Sequence, residues 1–281
     1  MATTPDTHPA ASSTPGLVRL EYRGVTMRFA DRGGGVLTAV QGVSFCVRDG
    51  EVVSLIGPSG CGKSTLLNIG SGLTAPSEGE ALVDGEPVEG PNAQVAFMLQ
   101  KDLLLPWRTV TENATFGVEI QRVPPGERMR RARELLEKFH LSEFAGHYPH
   151  QLSGGMRQRV ALARTLAVDP HVLLLDEPFS AVDAQTRIVL QRDLARTLAE
   201  AQKTALLITH DLLEAVTLSD RVLVMSRRPG AIIDEIAIDM PQRDNPLARR
   251  ANPKVNDYVG RLMDRLDIAH ASLEREGEGH A

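Results

Sequence analysis

The residues best suited to chemistry fall in five short stretches. In GPSGCGKST, residues 57–65, glycines at 57, 60 and 62 let the backbone bend so that successive N–H groups point inward. The spacing G-x-x-x-x-G-K-[ST], between an apolar run and a helical pattern, is that of a loop cradling phosphate. Lys63 would place a compact cation on the β and γ phosphates, Ser64 would ligate Mg²⁺, and Thr65 opens the helix. Pro58, Ser59 and Cys61 occupy the variable positions, with Cys61 a small filler rather than a catalyst. VLLLDEP, residues 172–178, supplies Asp176 at a strand end to accept from Mg²⁺-bound water. Glu177, one residue on, points to the other side and could polarise an attacking water as general base. The competing reading makes both acids helix caps. His210 in ITHD and Gln100 in QVAFMLQ also close apolar runs. The first could reach a γ-phosphate and the water; the second suits a polar sensor on Mg²⁺ or water.

The fifth stretch, LSGGM at 152–156, has no acid, histidine or cysteine. Two readings stand. Ser153, Gly154, Gly155 and the start of the next helix could form a second anion cradle. Alternatively, Ser153 is a plain N-cap and the arginines that follow lie on a solvated face.

These stretches need elements to position them. VVSLIG (52–57), VLLLD (172–176) and ALLIT (205–209) have the length and continuous apolarity of parallel strands buried on both faces. A helical pattern follows each, which predicts an open α/β sheet with its ligands at the carboxyl ends of the strands. Residues 18–50 alternate apolar and polar around DRGGG, as an antiparallel hairpin does. Past Gln100 the pattern turns helical, with Met129, Ala132, Leu135, Leu136 and Phe139 on one face. Met156, Val160, Ala163 and Ala167 form the apolar stripe that would seat the helix after LSGG.

Composition narrows the classes. The 281-residue chain is 42% hydrophobic and 24% charged, as an ordinary globular protein is. A net charge of −5 provides no basic field for nucleic acid, which is not expected as a partner. The two cysteines, Cys46 and Cys61, lack CxxC spacing and read as free thiols. No run approaches the ~20 apolar residues of a membrane span, so a membrane role must come through a partner. The Thr/Pro/Ser/Ala-rich start lacks a secretory h-region, and residues 1–16 are expected to be a disordered extension.

Taken in order, GPSGCGKST, Gln100, LSGGMRQR, VLLLDEPFSAVD and His210 resemble the nucleotide-binding subunit of ATP-binding cassette (ABC) transporters. The resemblance implies a P-loop NTPase (RecA-like) core carrying an antiparallel β subdomain and an inserted α-helical subdomain. The ABC ATPase domain would run over 17–240, with helices inserted at about 101–165, followed by a partly helical tail at 241–281. It implies that Gly57–Thr65 is the Walker A loop for ATP, and that Asp176 and Glu177 belong to Walker B. Gln100 becomes the Q-loop glutamine and His210 the switch histidine. Leu152–Met156 becomes the signature aimed at a partner's ATP, and SAVD, ending in Asp183, resembles the D-loop. Mg²⁺ would lie among Ser64, Gln100 and Asp176. An aromatic in the first hairpin stacks on adenine in that family; Phe29 matches best and Tyr22 is the alternative. Val182 stands where leucine is commoner, and Met156 where many members have glutamine.

Residues 100–123 and 226–241 resemble the ATPases of bacterial nitrate, sulfonate and taurine importers. That implies a peripheral ATPase on the cytoplasmic face of the inner membrane, paired with a second copy and bound to permease subunits. A substrate-binding protein would join indirectly. Pro106 and Trp107 would face the permease, although a single Trp is also an ordinary core residue. A non-transport ABC ATPase, an energiser for another solute, and a P-loop kinase or GTPase are the competing readings.

Overall fold

The computed structural model describes residues 16–30, 34–180 and 182–271, with side chains to residue 266. Of the expected N-terminal extension, only Gly16 is among them, and residues 272–281 of the expected tail also lie outside the described ones.

Two sheets organise the chain. The first is antiparallel, in the order β2-β1-β4-β5. Its long hairpin joins β1 (Val18–Ala30) to β2 (Val36–Arg48), and β4 (Glu78–Val83) and β5 (Glu86–Pro87) extend it. The second has the order β10-β9-β3-β8-β7-β6. Its strands β3 (Val52–Ile56), β6 (Val95–Met98), β7 (Val172–Asp176), β8 (Thr204–Ile208) and β9 (Arg221–Met225) run parallel. β10 (Ile232–Ala237) closes the edge antiparallel to β9. Apart from β6, every residue of the parallel strands is buried, as layers on both sheet faces require.

The strand period of two divides the apolar residues between those layers. Val172 and Leu174 turn to a core shared with the antiparallel sheet and α1 (Lys63–Gly70). Leu173 and Leu175 turn to a core shared with α5 (Ala184–Glu200) and the helical subdomain. That subdomain consists of α2 (Val110–Ile120), α3 (Pro125–Lys138) and α4 (Gly154–Ala167). Each starts as sequence chemistry dictates: a Thr109/Glu112 capping box for α2, Pro125 at the first position of α3, and the Ser153 cap for α4. On α3, Ala132, Leu136 and the following Phe139 are buried, but Met129 is 41% exposed. Met129 lies nearly two turns before Leu136 on the expected face, and is left outside the core that buries the rest of it.

The C-terminal segment, expected as a partly helical tail, forms α7 (Pro246–Arg250) and α8 (Lys254–Ala271). Val255 and Leu262 of α8 are buried with Ala215 and Val216 of α6 (Leu212–Leu218) and with Val222 and Val224 of β9. This segment therefore covers part of the sheet instead of trailing from it.

Candidate active site

Five adjacent parallel strands bring their carboxyl ends to one edge: β3 leads to Gly57, β6 to Gln100, β7 to Glu177, β8 to His210 and β9 to Arg228. Among them lies a cleft of about 280 Å³ lined by Phe29, Gly60, Lys63, Thr65, Glu177 and Arg228, among others.

The phosphate loop joins β3 to α1. Gly62, with φ of 104°, precedes α1 and offers no side-chain cap; no acid occupies the helix's first turn. A Cβ at Gly62 would collide with Val40, so both backbone sign and space demand glycine. The start of α1 therefore presents N–H groups and the positive end of its dipole to the cleft. Lys63 folds back on the loop, donating to the carbonyls of Gly57 (2.7 Å) and Pro58 (3.0 Å). Cys61 is 1% exposed, and burial pushes its thiol up from the ordinary value, as suits a filler and not a thiolate nucleophile.

Asp176 is buried at the end of β7. Burial raises its carboxyl above the usual carboxylate range, Ser64 opposes this by hydrogen bonding, and neighbouring Glu177 reinforces it. A buried carboxyl against a hydroxyl is a hard-oxygen donor set, which fits Mg²⁺. Glu177 departs from β7 with φ of 45°. Its N–H donates to Ile208 O (3.0 Å), while its carbonyl accepts from the Ser180 N–H (3.1 Å) and hydroxyl (3.0 Å). These bonds hold a left-handed conformation that costs a non-glycine residue about 1 kcal/mol or more. The result turns the carboxyl into the cleft, where Gln100 Nε2 donates to Oε2 at 3.0 Å. His210 Nδ1 stands 3.4 Å from the same oxygen. Three candidates drawn from three separate strand ends therefore meet at one atom.

The two aromatic candidates separate cleanly. Phe29, paired with Leu37 in the hairpin, is 41% exposed and lines the cleft. Tyr22 is core: 1% exposed, stacked on Phe45 at 4.6 Å, with its hydroxyl donating to Leu66 O.

Leu152–Met156 sits apart. Leu152 is buried and Met156 packs partly buried on the subdomain core, as the apolar stripe predicts. Ser153 accepts from the Met156 N–H at 3.3 Å, so it does cap α4, yet it is itself exposed. A Cβ on Gly155 would come within 3.0 Å of Thr186 and 3.2 Å of Val182, so glycine admits α5 and the segment before it. Asp183 caps α5, accepting from Gln185 N (3.2 Å) and Thr186 N (3.0 Å), bonds that hold its carboxyl below the usual range. Of the expected SAVD loop, Ala181 lies outside the described residues.

Sequence reasoning missed a brace. Arg157 Nε donates to Asp102 Oδ2 (3.0 Å), and Arg164 donates to the carbonyls of Asp102 (2.7 Å) and Leu103 (2.9 Å). These arginines are not a solvated face; they tie α4 to the segment just past Gln100. Buried Asn113 donates to three carbonyls of residues 105–109, and Trp107 stands 71% exposed on that segment. Arg228 was missed too, although SRRPG directly follows the apolar run RVLVM, the same signal that marked the other strand ends.

A glycine-rich loop before a helix, a buried carboxyl against a hydroxyl and a second carboxylate in the cleft, all on one sheet edge, have the arrangement of a P-loop nucleotide hydrolase. The comparisons make this specific: the ABC transporter family model matches residues 40–180. An uncharacterized ABC transporter ATP-binding protein of Methanocaldococcus jannaschii is 46% identical over 223 residues, 79% of this chain and 83% of that one. The taurine import ATP-binding protein TauB of Burkholderia pseudomallei is 44% identical over 227 residues, 81% of this chain and 87% of that one. The dimeric ABC transporter cassette MJ0796 superposes with a TM-score of 0.72 at 32% identity, covering 79% of this chain and 99% of that one. The chain belongs to the ABC transporter family, as its ATP-binding ATPase subunit.

Proposed function

We propose that this subunit hydrolyses ATP to drive import of a small anionic or organic solute, of the nitrate, sulfonate or taurine type, through a separate permease. The observation carrying the hydrolytic part is the meeting of Gln100 and His210 at one carboxylate oxygen of Glu177, beside the phosphate loop. Loop N–H groups, the α1 terminus and Lys63 hold the β and γ phosphates of ATP, and Lys63 exchanges its two loop carbonyls for phosphate oxygens. Phe29 offers a face for adenine. Glu177 accepts the proton of the attacking water, Gln100 orients the carboxylate, and His210 donates toward the γ-phosphate. Ser64 and Asp176, with Gln100 nearby, would hold Mg²⁺, which when bound neutralises phosphate charge.

Two copies pairing head to tail would set Ser153–Gly155 of one against the γ-phosphate held by the other; the dimeric state of the MJ0796 cassette supports this. No helix among the described residues is long and apolar enough to cross a membrane. As the energising partner of a permease, the subunit would sit peripherally on the cytoplasmic face, with exposed Trp107 and Leu103 turned to the permease and a substrate-binding protein acting on its far side. Import of a taurine-like solute is supported by the TauB relative.

Glu177→Gln tests the mechanism. It should bind ATP normally, lose at least about a hundredfold in turnover and accumulate a nucleotide-bound dimer on size exclusion. Turnover at the normal rate would remove Glu177 as the base. Deleting the gene and supplying taurine, an alkanesulfonate or nitrate as sole sulfur or nitrogen source tests the solute. Growth unaffected on all three would reject that class.

A further inference from the structure

One wall of the cleft belongs to none of the phosphate motifs. Residues 226–231, SRRPGA, turn between β9 and β10 directly against the phosphate loop. The Gly230 N–H donates to Ala39 O (2.9 Å), and the Gln41 N–H donates to Gly230 O (2.9 Å). Ser226 Oγ accepts from the Ala231 N–H at 3.0 Å, closing the turn on itself. Gly230 lies so near the loop that a Cβ there would collide with the Cys61 carbonyl oxygen. The turn is therefore fixed on β2 and pressed against the cradle.

From this base Arg228 reaches over the loop. Its Nε and Nη2 both donate to the Gly60 carbonyl oxygen, at 3.1 and 2.8 Å. It has no carboxylate partner among the described residues, so its charge is left to the cleft. The Gly60–Cys61 peptide is planar and trans, and its C=O and N–H point in opposite directions. With the carbonyl held by Arg228, the Cys61 N–H on the opposite side donates to Pro58 O at 3.3 Å, so both ends of this peptide are tied down. Gly60 has φ of 76°, in a region where a glycine peptide reorients at little cost. Turned over, that peptide would release Arg228 and aim the Gly60 carbonyl oxygen at an incoming phosphate, which it would repel.

We propose that Arg228 is a positioning residue for the phosphate cradle. It grips the Gly60 carbonyl oxygen with a two-donor fork, keeping that oxygen from turning toward a bound phosphate, and adds a fixed positive charge to the cleft wall. The ligand part it serves is the pyrophosphate of a nucleoside di- or triphosphate. This rests on the reading of Gly57–Thr65 as the nucleotide phosphate site, and Lys63→Ala therefore runs beside it as a control.

The experiment titrates ATP and ADP calorimetrically, and AMP by competition, against full-length protein carrying Arg228→Ala, Arg228→Lys or Lys63→Ala, with melting temperatures and ATPase kinetics. Arg228→Ala should weaken ATP and ADP about tenfold, leave AMP within about twofold, and raise the KM for ATP with kcat within about threefold. Arg228→Lys should recover only part of the affinity, because an ammonium cannot reproduce the two-donor fork; it carries the readout if the alanine variant melts early. Unchanged ATP affinity in both Arg228 variants overturns the proposal. So does an AMP loss equal to the ATP loss, which would mean general support of the cleft. If Lys63→Ala leaves ATP binding intact, the nucleotide-site reading itself fails. If Lys63→Ala weakens ATP and the Arg228 variants do not, only the role of Arg228 falls.

Discussion

Two helices in this subunit begin behind glycine-rich sequence, and they begin differently. α1 starts at Gly62 without a cap, and its N–H groups open into a cleft where a lysine, two carboxyls, a glutamine and a histidine of the same chain converge. α4 starts at Ser153, which caps it; its first turn holds no acid, and the cation beside it, Arg157, is engaged by Leu152 O and Asp102. An uncapped start retains its affinity for anions; a capped one has already satisfied part of it and can offer only a shared, weaker contact. On the proposed function, the first would be a whole site and the second half of one, completed in a head-to-tail pair.

The comparison breaks most readily at Ser153. Ser153→Arg should abolish ATPase activity by roughly a hundredfold or more while ATP affinity by titration stays within about twofold. Lys63→Ala should lose affinity by up to about a hundredfold, the worth of a charge-assisted contact. If the two variants lose affinity equally, α4 serves the nucleotide of its own chain and the contrast collapses. Gly155→Ala tests whether the start of α4 is set by its contact with Val182 and Thr186. Overpacking there should cost about 1–3 kcal/mol in urea unfolding, and a neutral result would show slack in that contact.

A third helix start at the same edge sharpens the contrast through pH. α6 follows His210, Asp211 caps it through Glu214 N, and Glu214 is buried beneath. Burial first, then the charge of Asp211, pushes the Glu214 carboxyl up to about 8, against opposition from Thr209, Arg187 and Gln191. Gln191 is itself held by Arg250 of α7 (2.7 Å), so the C-terminal segment reaches this cluster. Between about pH 4.5, where an ordinary glutamate titrates, and about pH 8 the folded chain keeps a proton that the unfolded chain releases. Stability should therefore fall with rising pH across that window, by at most about 1.4 kcal/mol per unit, and level off above it. Glu214→Gln should flatten the slope in denaturant titrations from pH 5 to 9; an unchanged slope would assign it to other groups. The smallest effect is expected from Arg157→Ala, which frees α4 from Asp102. That half-exposed pair is worth about 1 kcal/mol, and the variant should slow turnover more than it lowers the melting temperature. Equal, small effects would make the brace merely structural.

Part of the candidate site was legible because Gln100, Glu177 and His210 each close a continuous apolar run, and a parallel sheet aligns such ends. That argument reached Glu177 and His210 without any contact being known. It stopped short of Arg228 because RVLVM was not counted as a fifth run, and short of the Arg157–Asp102 brace because surface arginines look alike in sequence. Tyr22 and Phe29 could not be separated by pattern. They alternate along one strand with similar chemistry, and only the position of α1 beneath the sheet makes one core and the other cleft wall. Met129 failed because periodicity predicts a face and says nothing of how far a neighbour extends along it.

The sequence by itself determined the class of chemistry, since the spacing of Gly57 to Thr65 and the order of the strand ends are local and carried by the chain. Only the tertiary structure decided that Gln100 and His210 share one oxygen of Glu177, that Lys63 rests on its own loop, and that Arg228 grips the Gly60 carbonyl. Those contacts join residues 33 to 168 positions apart or turn on where a folded-back side chain lands, and such distances are set by the packing of the whole sheet.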